Sequence, residues 1–131
     1  MSTRQQTLQQ ERASSAWHAI EQLEARDIKF KKEYGSLVRG LPAMIQTDGL
    51  GHTLAFLRAK AGGDAAKPHH VAYDHLSRWV CGQLSPRAAT TLLDWVLEQN
   101  TGSYRRAAAE SLAYLQWLKR FVEAKGWKSE E

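Results

Sequence analysis

Basic side chains are the residues of this sequence whose types and spacing best suit a chemical role. They form two groups, Lys29, Lys31, Lys32, Arg39, Arg58 and Lys60 in the first, and Arg105, Arg106, Lys119, Arg120, Lys125 and Lys128 in the second. The first group contains only Glu33 and Asp48 as acids, and the second only Glu110 and Glu123. Because guanidinium and ammonium groups bind phosphate, two such basic arms favour acidic partners, nucleic acid first.

A tryptophan lies among the basic residues near the end of the chain. Helical spacing puts Trp117 with Arg106 and Arg120 on the side opposite the apolar face. An indole between guanidinium groups could stack on a base, or it could form the centre of a protein interface. The structural alternative is that Trp117 packs under another element while Arg106 pairs with Glu110 one turn along the helix. The sequence leaves these three interpretations open.

The other basic residues have two interpretations each. The run from 29 to 32, with Arg39 after it, could follow a phosphate backbone or form a solvated helix end. Arg58 and Lys60 close a predicted helix, where they stabilise the negative end of its dipole without any ligand.

Residue sets typical of enzymes and metal sites are not recognisable in the sequence. Three histidines and an aspartate come closest to a metal cluster: His69, His70, His75 and Asp74. His70 and His75 are five apart, whereas zinc ligands on a helix are usually four apart, and no cysteine pair supports them. The glycines within 49–51 lack the lysine and spacing of a phosphate-binding loop. We therefore predict no enzyme, no metal, no cofactor and no small-molecule substrate.

Length and composition limit the class of protein. The chain has 131 residues, a formal net charge of +4 and a pI near 9.4, which suits one compact domain with a mild preference for acidic partners. A single cysteine, Cys81, cannot form an internal disulfide and suits a reducing compartment. The polar N-terminal segment predicts no signal peptide, and no apolar run is long enough to span a membrane. We expect a cytoplasmic protein without membrane partners.

Apolar residues recur at helical spacing along the chain, which predicts an all-α fold, a compact bundle of about six helices in a single domain. The predicted helices span 4–32, 34–47 (kinked or broken at Pro42), 50–61, 71–83, 86–99 and 104–125. Ser85 and Pro86 are the predicted start signal of the fifth helix, and Gly126 ends the sixth. The domain is predicted to span 1–131, with an ordered core over about 4–125, a loop at 61–70 and a tail at 126–131.

Two stretches go beyond composition. The segment 45–60 (IQTDGLGHTLAFLRAK) contains a helix stop at Gly49 followed by a new helix, and 104–121 (YRRAAAESLAYLQWLKRF) is the long final helix with Glu110. They resemble the two signature blocks of the small subunit of the type III-B (Cmr) CRISPR effector complex, and helix order and chain length fit too. His52, the 61–70 loop and the tail after Gly126 depart from the family pattern.

The resemblance implies a non-catalytic subunit of an RNA-guided ribonucleoprotein that acts in antiviral defence. Proteins of this family are small helical bundles that stack head to tail beside the backbone subunits carrying the guide RNA. They line the channel in which target RNA pairs with the guide, while other subunits cleave. The implied partners are the backbone and large Cmr subunits, further copies of the chain, guide RNA and target RNA.

We predict that RNA and subunit contacts come from nine basic residues: Lys29, Lys32, Arg39, Arg58, Lys60, Arg105, Arg106, Lys119 and Arg120. The family motif matches only Arg58, Lys60, Arg105, Arg106, Lys119 and Arg120. Trp117 and Arg120 are the predicted protein-interface residues. The phosphate contacts would be independent of sequence, because base pairing between guide and target supplies specificity.

Two alternatives stay open at this point. One is a stand-alone α-helical protein–protein adaptor, with no role for RNA. The other is a helix-turn-helix DNA-binding protein with its turn at Asp48 and Gly49 and with His52, Thr53 and Arg58 exposed on the next helix. That helix lacks the Asn, Gln or Arg side chains near its start that read bases, which weakens the second alternative.

Overall fold

Helices make up almost all of the chain that the structure describes. The computed structural model covers residues 4–85 and 91–127, with side chains from residue 7 onward. The helices are α1 (Arg4–Glu21), α2 (Ile28–Asp48), α3 (Leu50–Ala61), α4 (Pro68–Leu84), α5 (Leu92–Leu97) and α6 (Thr101–Ala124). Within these ranges there is no strand, which confirms the predicted all-α bundle. Over the same ranges, no helix has the length and apolar character needed to cross a bilayer.

The predicted first helix over 4–32 is wrong, because the chain turns between α1 and α2. Asp27 adopts an extended conformation (φ −69°, ψ 167°), and its Oδ1 accepts the backbone N–H of Phe30 at 2.8 Å. This aspartate cap starts a new helix, and helical periodicity alone did not reveal it. The basic run from 29 to 32 therefore lies at the beginning of α2. There the positive end of the helix dipole repels these lysines, whereas the C-terminal end of a helix over 4–32 would have stabilised them.

The predicted break at Pro42 does not occur, and α2 is continuous from 28 to 48. Pro42 lacks an N–H, so the carbonyl of Val38 loses its usual helical donor. Packing against α3, α4 and α6 holds the helix together across this gap. Its buried face consists of Phe30, Tyr34, Gly35, Val38, Leu41, Pro42 and Ile45. Tertiary burial thus outweighs one missing hydrogen bond.

The predicted fifth helix over 86–99 is wrong in its length, because Thr91 is extended (φ −77°, ψ 158°) and α5 spans only Leu92–Leu97. The remaining helices agree with prediction except at their ends. α3 spans 50–61 as expected, and its start is set by Gly49 at φ 92°. α4 begins at Pro68, three residues earlier than predicted, with proline in the first helical position. Ser85 closes α4, its N–H bonding to the Cys81 carbonyl at 2.9 Å; the predicted fifth-helix start at 86–90 lies outside the described residues. α6 begins earlier than predicted, at Thr101, because Asn100 caps it.

The core lies between α6 and the helices that surround it. α1, α2 and α4 all pack on α6, and α3 with α5 closes the side against α4. Helical spacing predicts one apolar core face on α6, and its last four members are buried; the face comprises Tyr104, Ala108, Ser111, Leu115, Leu118 and Val122. Tyr104 and Ala108 are only half-buried, while Ala107 and Tyr114 are buried instead, because α1 and α4 both contact that side of α6.

Candidate nucleic-acid interface

The nine predicted contact residues are distributed over three helices. Three lie on α2 (Lys29, Lys32, Arg39), two on α3 (Arg58, Lys60) and four on α6 (Arg105, Arg106, Lys119, Arg120). They fall into two chemical sets, cations held in ion pairs and cations with no carboxylate within 4 Å among the described residues. This division could not be read from the sequence, because it depends on which helices are neighbours.

The paired set contains three arginines. Arg39 Nε lies 3.5 Å from Glu123 Oε2, and Arg120 NH1 lies 3.2 Å from Glu123 Oε1. One carboxylate on α6 is therefore shared with α2. Arg58 NH1 lies 3.8 Å from Asp94 Oδ1, and half or more of both side chains is exposed. These arginines have a partner within the bundle and would have to share or exchange it to bind phosphate.

The unpaired set contains the other six residues. Lys29, Lys60, Arg105 and Arg106 are exposed, whereas Lys32 and Lys119 are half-buried. None of them has a carboxylate within 4 Å in the part of the chain that the structure describes. An unpaired cation loses less on binding phosphate, since no existing ion pair must be broken.

One basic region lies where α2 begins and α3 ends. Arg26 NH2 donates to the Ala66 carbonyl at 2.9 Å, and Lys67 Nζ donates to the Lys60 carbonyl at 3.4 Å. Burial, Lys60 and Lys67 together lower the pKa of His69, with Glu33 acting in the opposite sense. Side chains from α2, α3 and α4 thus meet at this end of the bundle.

A second basic region is the outward face of α6. Its two ends carry Arg105 and Arg106 on one side and Lys119 and Arg120 on the other. Between them the face presents small or neutral side chains: Ala109, Leu112, Ala113 and Gln116. At 1.5 Å per residue, the distance along the helix from Arg105 to Arg120 is about 22 Å.

Glu110 does not reach this outward face, because two other helices hold its carboxylate. Arg12 of α1 binds it with two hydrogen bonds, Nε to Oε2 at 2.6 Å and NH2 to Oε1 at 2.8 Å. The indole Nε1 of Trp79, on α4, donates to Oε2 at 2.8 Å. Burial by itself would raise the pKa of Glu110, but the hydrogen bonds from Arg12 and Trp79 reverse this and lower it.

This three-helix bridge was missed at the level of sequence. Arg12 and Glu110 are 98 residues apart, so no local spacing could pair them. The structural alternative that paired Arg106 with Glu110 is wrong, since Glu110 instead faces Arg12 and Trp79. Arg106 is left exposed.

Trp117 is less available than an outward-facing tryptophan would be. Its side chain is half-buried, its ring lies 5.6 Å from that of Phe121, and its Nε1 donates to Gln9 Oε1 at 3.3 Å. The neighbouring helix α1 therefore covers one edge of the indole. Arg120 remains exposed beside Glu123, and the role of Trp117 and Arg120 at a protein interface stays a prediction.

The histidines that suggested a metal site are separated by packing. His75 Nδ1 shares a 2.6 Å hydrogen bond with the hydroxyl of buried Tyr34, and burial lowers the pKa of His75 to about 4. The ring of His69 meets the Phe56 ring edge-on at 5.9 Å. Over residues 4–85 and 91–127, no three His, Cys, Asp or Glu side chains come close enough together to hold a metal ion.

The two sequence blocks contact each other in the structure. The Tyr104 hydroxyl, at the start of α6, accepts the backbone N–H of Gly51 at the start of α3, at 2.7 Å. Thr53 is buried, and its hydroxyl donates to the Gly49 carbonyl at 2.9 Å. Thr53 was expected to be exposed under the helix-turn-helix alternative, and its burial removes it from any base-reading surface.

The fold and these surfaces define a small all-α protein with basic side chains exposed on its helices. The sequence matches the family described as CRISPR-associated protein (Cas_Cmr5) over residues 8–125. The chain belongs to this family, the small subunit of the type III-B Cmr complex, which confirms the resemblance seen in the two blocks. Membership implies a non-catalytic subunit of a CRISPR effector that associates with Cmr subunits and CRISPR RNA.

Proposed function

We propose that this subunit helps to hold RNA in its effector complex through the outward face of α6. The observation that carries the proposal is the orientation of Glu110, whose carboxylate is bound by Arg12 and Trp79 instead of facing outward. The face consequently carries three unpaired cations, Arg105, Arg106 and Lys119, with small or neutral side chains between them, and Arg120 at its end is paired with Glu123. A phosphate backbone could approach Arg105, Arg106 and Lys119 without displacing a carboxylate, because none lies within 4 Å of these three cations among the described residues, while Glu123 lies beyond them, paired with Arg120 and Arg39.

The length of this face suits several nucleotides. Its length of about 22 Å corresponds to roughly six phosphates of a stacked strand, at ~3.4 Å per nucleotide. Arg105 and Arg106 would contact one part of the strand, and Lys119 would contact it about three to four helical turns away. Each contact is weak and independent of sequence, so retention would come from repeated copies along one strand and specificity from base pairing.

The other predicted partners belong to the same proposal. Copies of the chain would stack beside the backbone subunits, contact the large subunit and face both guide and target RNA. The region formed by Lys29 and Lys60 would supply further RNA or subunit contacts. A role in antiviral defence and a cytoplasmic location are part of this proposal, and membership of the Cmr5 family supports both.

A salt series tests the assignment of α6. Effector complexes assembled with wild-type chain or with the Arg105→Ala/Arg106→Ala variant are titrated with target RNA between 50 and 200 mM salt. Loss of two phosphate contacts should reduce the slope of log K against log salt by about 1.4. The ratio of wild-type to variant affinity should therefore fall about sevenfold as the salt concentration rises fourfold, from 50 to 200 mM.

Arg78→Ala is the matched control. Arg78 is an exposed arginine on α4 that is paired with Asp74 at 2.9 Å and lies away from the outward face of α6. This variant should keep the wild-type slope. Equal slopes for wild type and the α6 variant would contradict the proposal.

A further inference from the structure

Arg106 and Glu110 occupy positions at which two side chains of one helix can form an ion pair. They are four residues apart on α6, and arginine and glutamate at that spacing attract each other. Arg106, Arg12 and Glu110 also line the same cleft of about 700 Å³, bounded by α1, α4 and α6. Arg106 nevertheless has no carboxylate within 4 Å among the described residues.

The reason is that Glu110 already has better partners. Arg12 forms a two-point bond with both carboxylate oxygens, and Trp79 adds a third hydrogen bond. The Arg12 and Glu110 side chains are only 15% and 11% exposed, so this bond is largely shielded from water. A shielded, bidentate pair is stronger than an exposed pair between neighbouring helical turns.

We propose that Arg12 and Trp79 are positioning residues that keep the Arg106 guanidinium free for RNA by holding Glu110 away from it. The proposal rests on the function assigned above to the α6 face. Without Arg12, Glu110 would keep its negative charge and only the indole hydrogen bond. The carboxylate could then pair with Arg106 and compete with the RNA phosphate for the same cation.

The test is a double-mutant cycle in the assembled effector complex loaded with guide RNA. Four chains are compared: wild type, Arg12→Met, Glu110→Gln and Arg12→Met/Glu110→Gln. Target RNA affinity is measured across a salt series at a temperature where circular dichroism shows every variant folded. Arg78→Met is the control for losing one arginine from an ion pair elsewhere on the surface.

The expected affinities depend on which group the Glu110 carboxylate binds once Arg12 is replaced. Arg12→Met should weaken target RNA binding about twofold at low salt and reduce the salt slope by up to about 0.7, as loss of one phosphate contact would. Adding Glu110→Gln should restore the slope, because it removes the carboxylate that the loss of Arg12 releases; Glu11 lines the same cleft but is present in all four chains. Glu110→Gln by itself should change binding less than it does in the Arg12→Met background.

A purely structural role for Arg12 predicts another result. Packing defects would change affinity without changing the number of phosphates contacted, so the salt slope would stay at its wild-type value. An unchanged slope in Arg12→Met, or no restoration by Glu110→Gln, overturns the positioning role. If Arg106→Ala still lowers the slope in that case, the proposed function stands. If Arg106→Ala also has no effect, both proposals fail together.

Discussion

Lowering the pH from neutral to about 4 should remove roughly 3 kcal/mol of folding free energy through one side chain, His75. Its ring lies between α2 and α4, where Nδ1 shares a 2.6 Å hydrogen bond with the Tyr34 hydroxyl. Burial is the main cause that lowers the pKa of His75 from 6.5 to about 4, with Asp74 opposing and Arg78 adding to the shift. The difference of about 2.5 pH units corresponds to about 3.4 kcal/mol at 1.36 kcal/mol per unit.

The sign follows from which state binds the proton first. As the pH falls through 6.5, the unfolded chain protonates His75 while the folded chain keeps it neutral. The contribution of His75 to stability is therefore complete above about pH 6.5 and is lost progressively down to about pH 4. Below that range both states carry the proton, and His75 causes no further change.

Denaturant unfolding at several pH values between 7 and 4 provides the assay. The test variant is His75→Asn, whose amide can still hydrogen-bond to Tyr34 but does not titrate in this range. His18→Asn is the matched control, because His18 is exposed and lies across the same cleft from His75. The carboxylates are the same in all three chains, so their contributions cancel in the comparison.

Wild type and His18→Asn should lose about 3 kcal/mol more than His75→Asn between pH 7 and pH 4. His75→Asn should start less stable at neutral pH, because it leaves space in a packed site, so the gap narrows as the pH falls. Parallel losses in all three chains would refute the reasoning. That result would mean that the imidazole takes up its proton in the folded protein as readily as in the unfolded chain.

Two further pairs of substitutions place the same change in opposite environments. Gly35→Ala should lower the free energy of unfolding by about 2 kcal/mol or more, because the new Cβ would lie 1.6 Å from the Trp127 carbonyl oxygen. Gly40→Ala should raise the free energy of unfolding by about 0.5–1 kcal/mol, since nothing lies within 4 Å of the Cβ that it adds. Urea titration measures the free energy of unfolding of both variants. Effects of the same sign would contradict this account. Ser111→Ala should stabilise by about 1 kcal/mol because its buried hydroxyl has no partner in the described part of the chain. Ser77→Ala should destabilise the protein by about 1–2 kcal/mol, because the Ser77 hydroxyl accepts the buried N–H of Leu92 at 2.8 Å. Thermal melts measure both serine variants, and shifts of the melting temperature in the same direction would refute this account.

Secondary structure was predictable where local signals agree with the tertiary contacts. The helix over 50–61 follows from its apolar spacing and from a glycine stop at Gly49. The predicted first helix fails because the Asp27 cap competes with a helical apolar pattern that continues through it. Pro42 predicts a break that does not occur, since packing against three neighbouring helices stabilises α2 more than one lost hydrogen bond destabilises it.

The candidate site was predictable only as a set of residue types. Arg105, Arg106, Lys119 and Arg120 were identified from charge and from the family blocks. Which of these four residues are free of ion pairs could not be predicted, because ion pairing depends on helices that are distant in sequence. Arg120 is paired with Glu123, whereas Arg106 is unpaired because Glu110 binds Arg12 instead.

The amino-acid sequence alone determined the helical class, the positive charge and the family, because periodicity, composition and the two motif segments are properties of the chain that do not depend on its fold. Only the tertiary structure decided which charges remain unpaired. Arg12 and Glu110 meet across 98 residues when α1 and α4 pack on α6. A carboxylate binds whichever donors the fold brings within about 3 Å and shields from water, and no spacing along the chain records that choice.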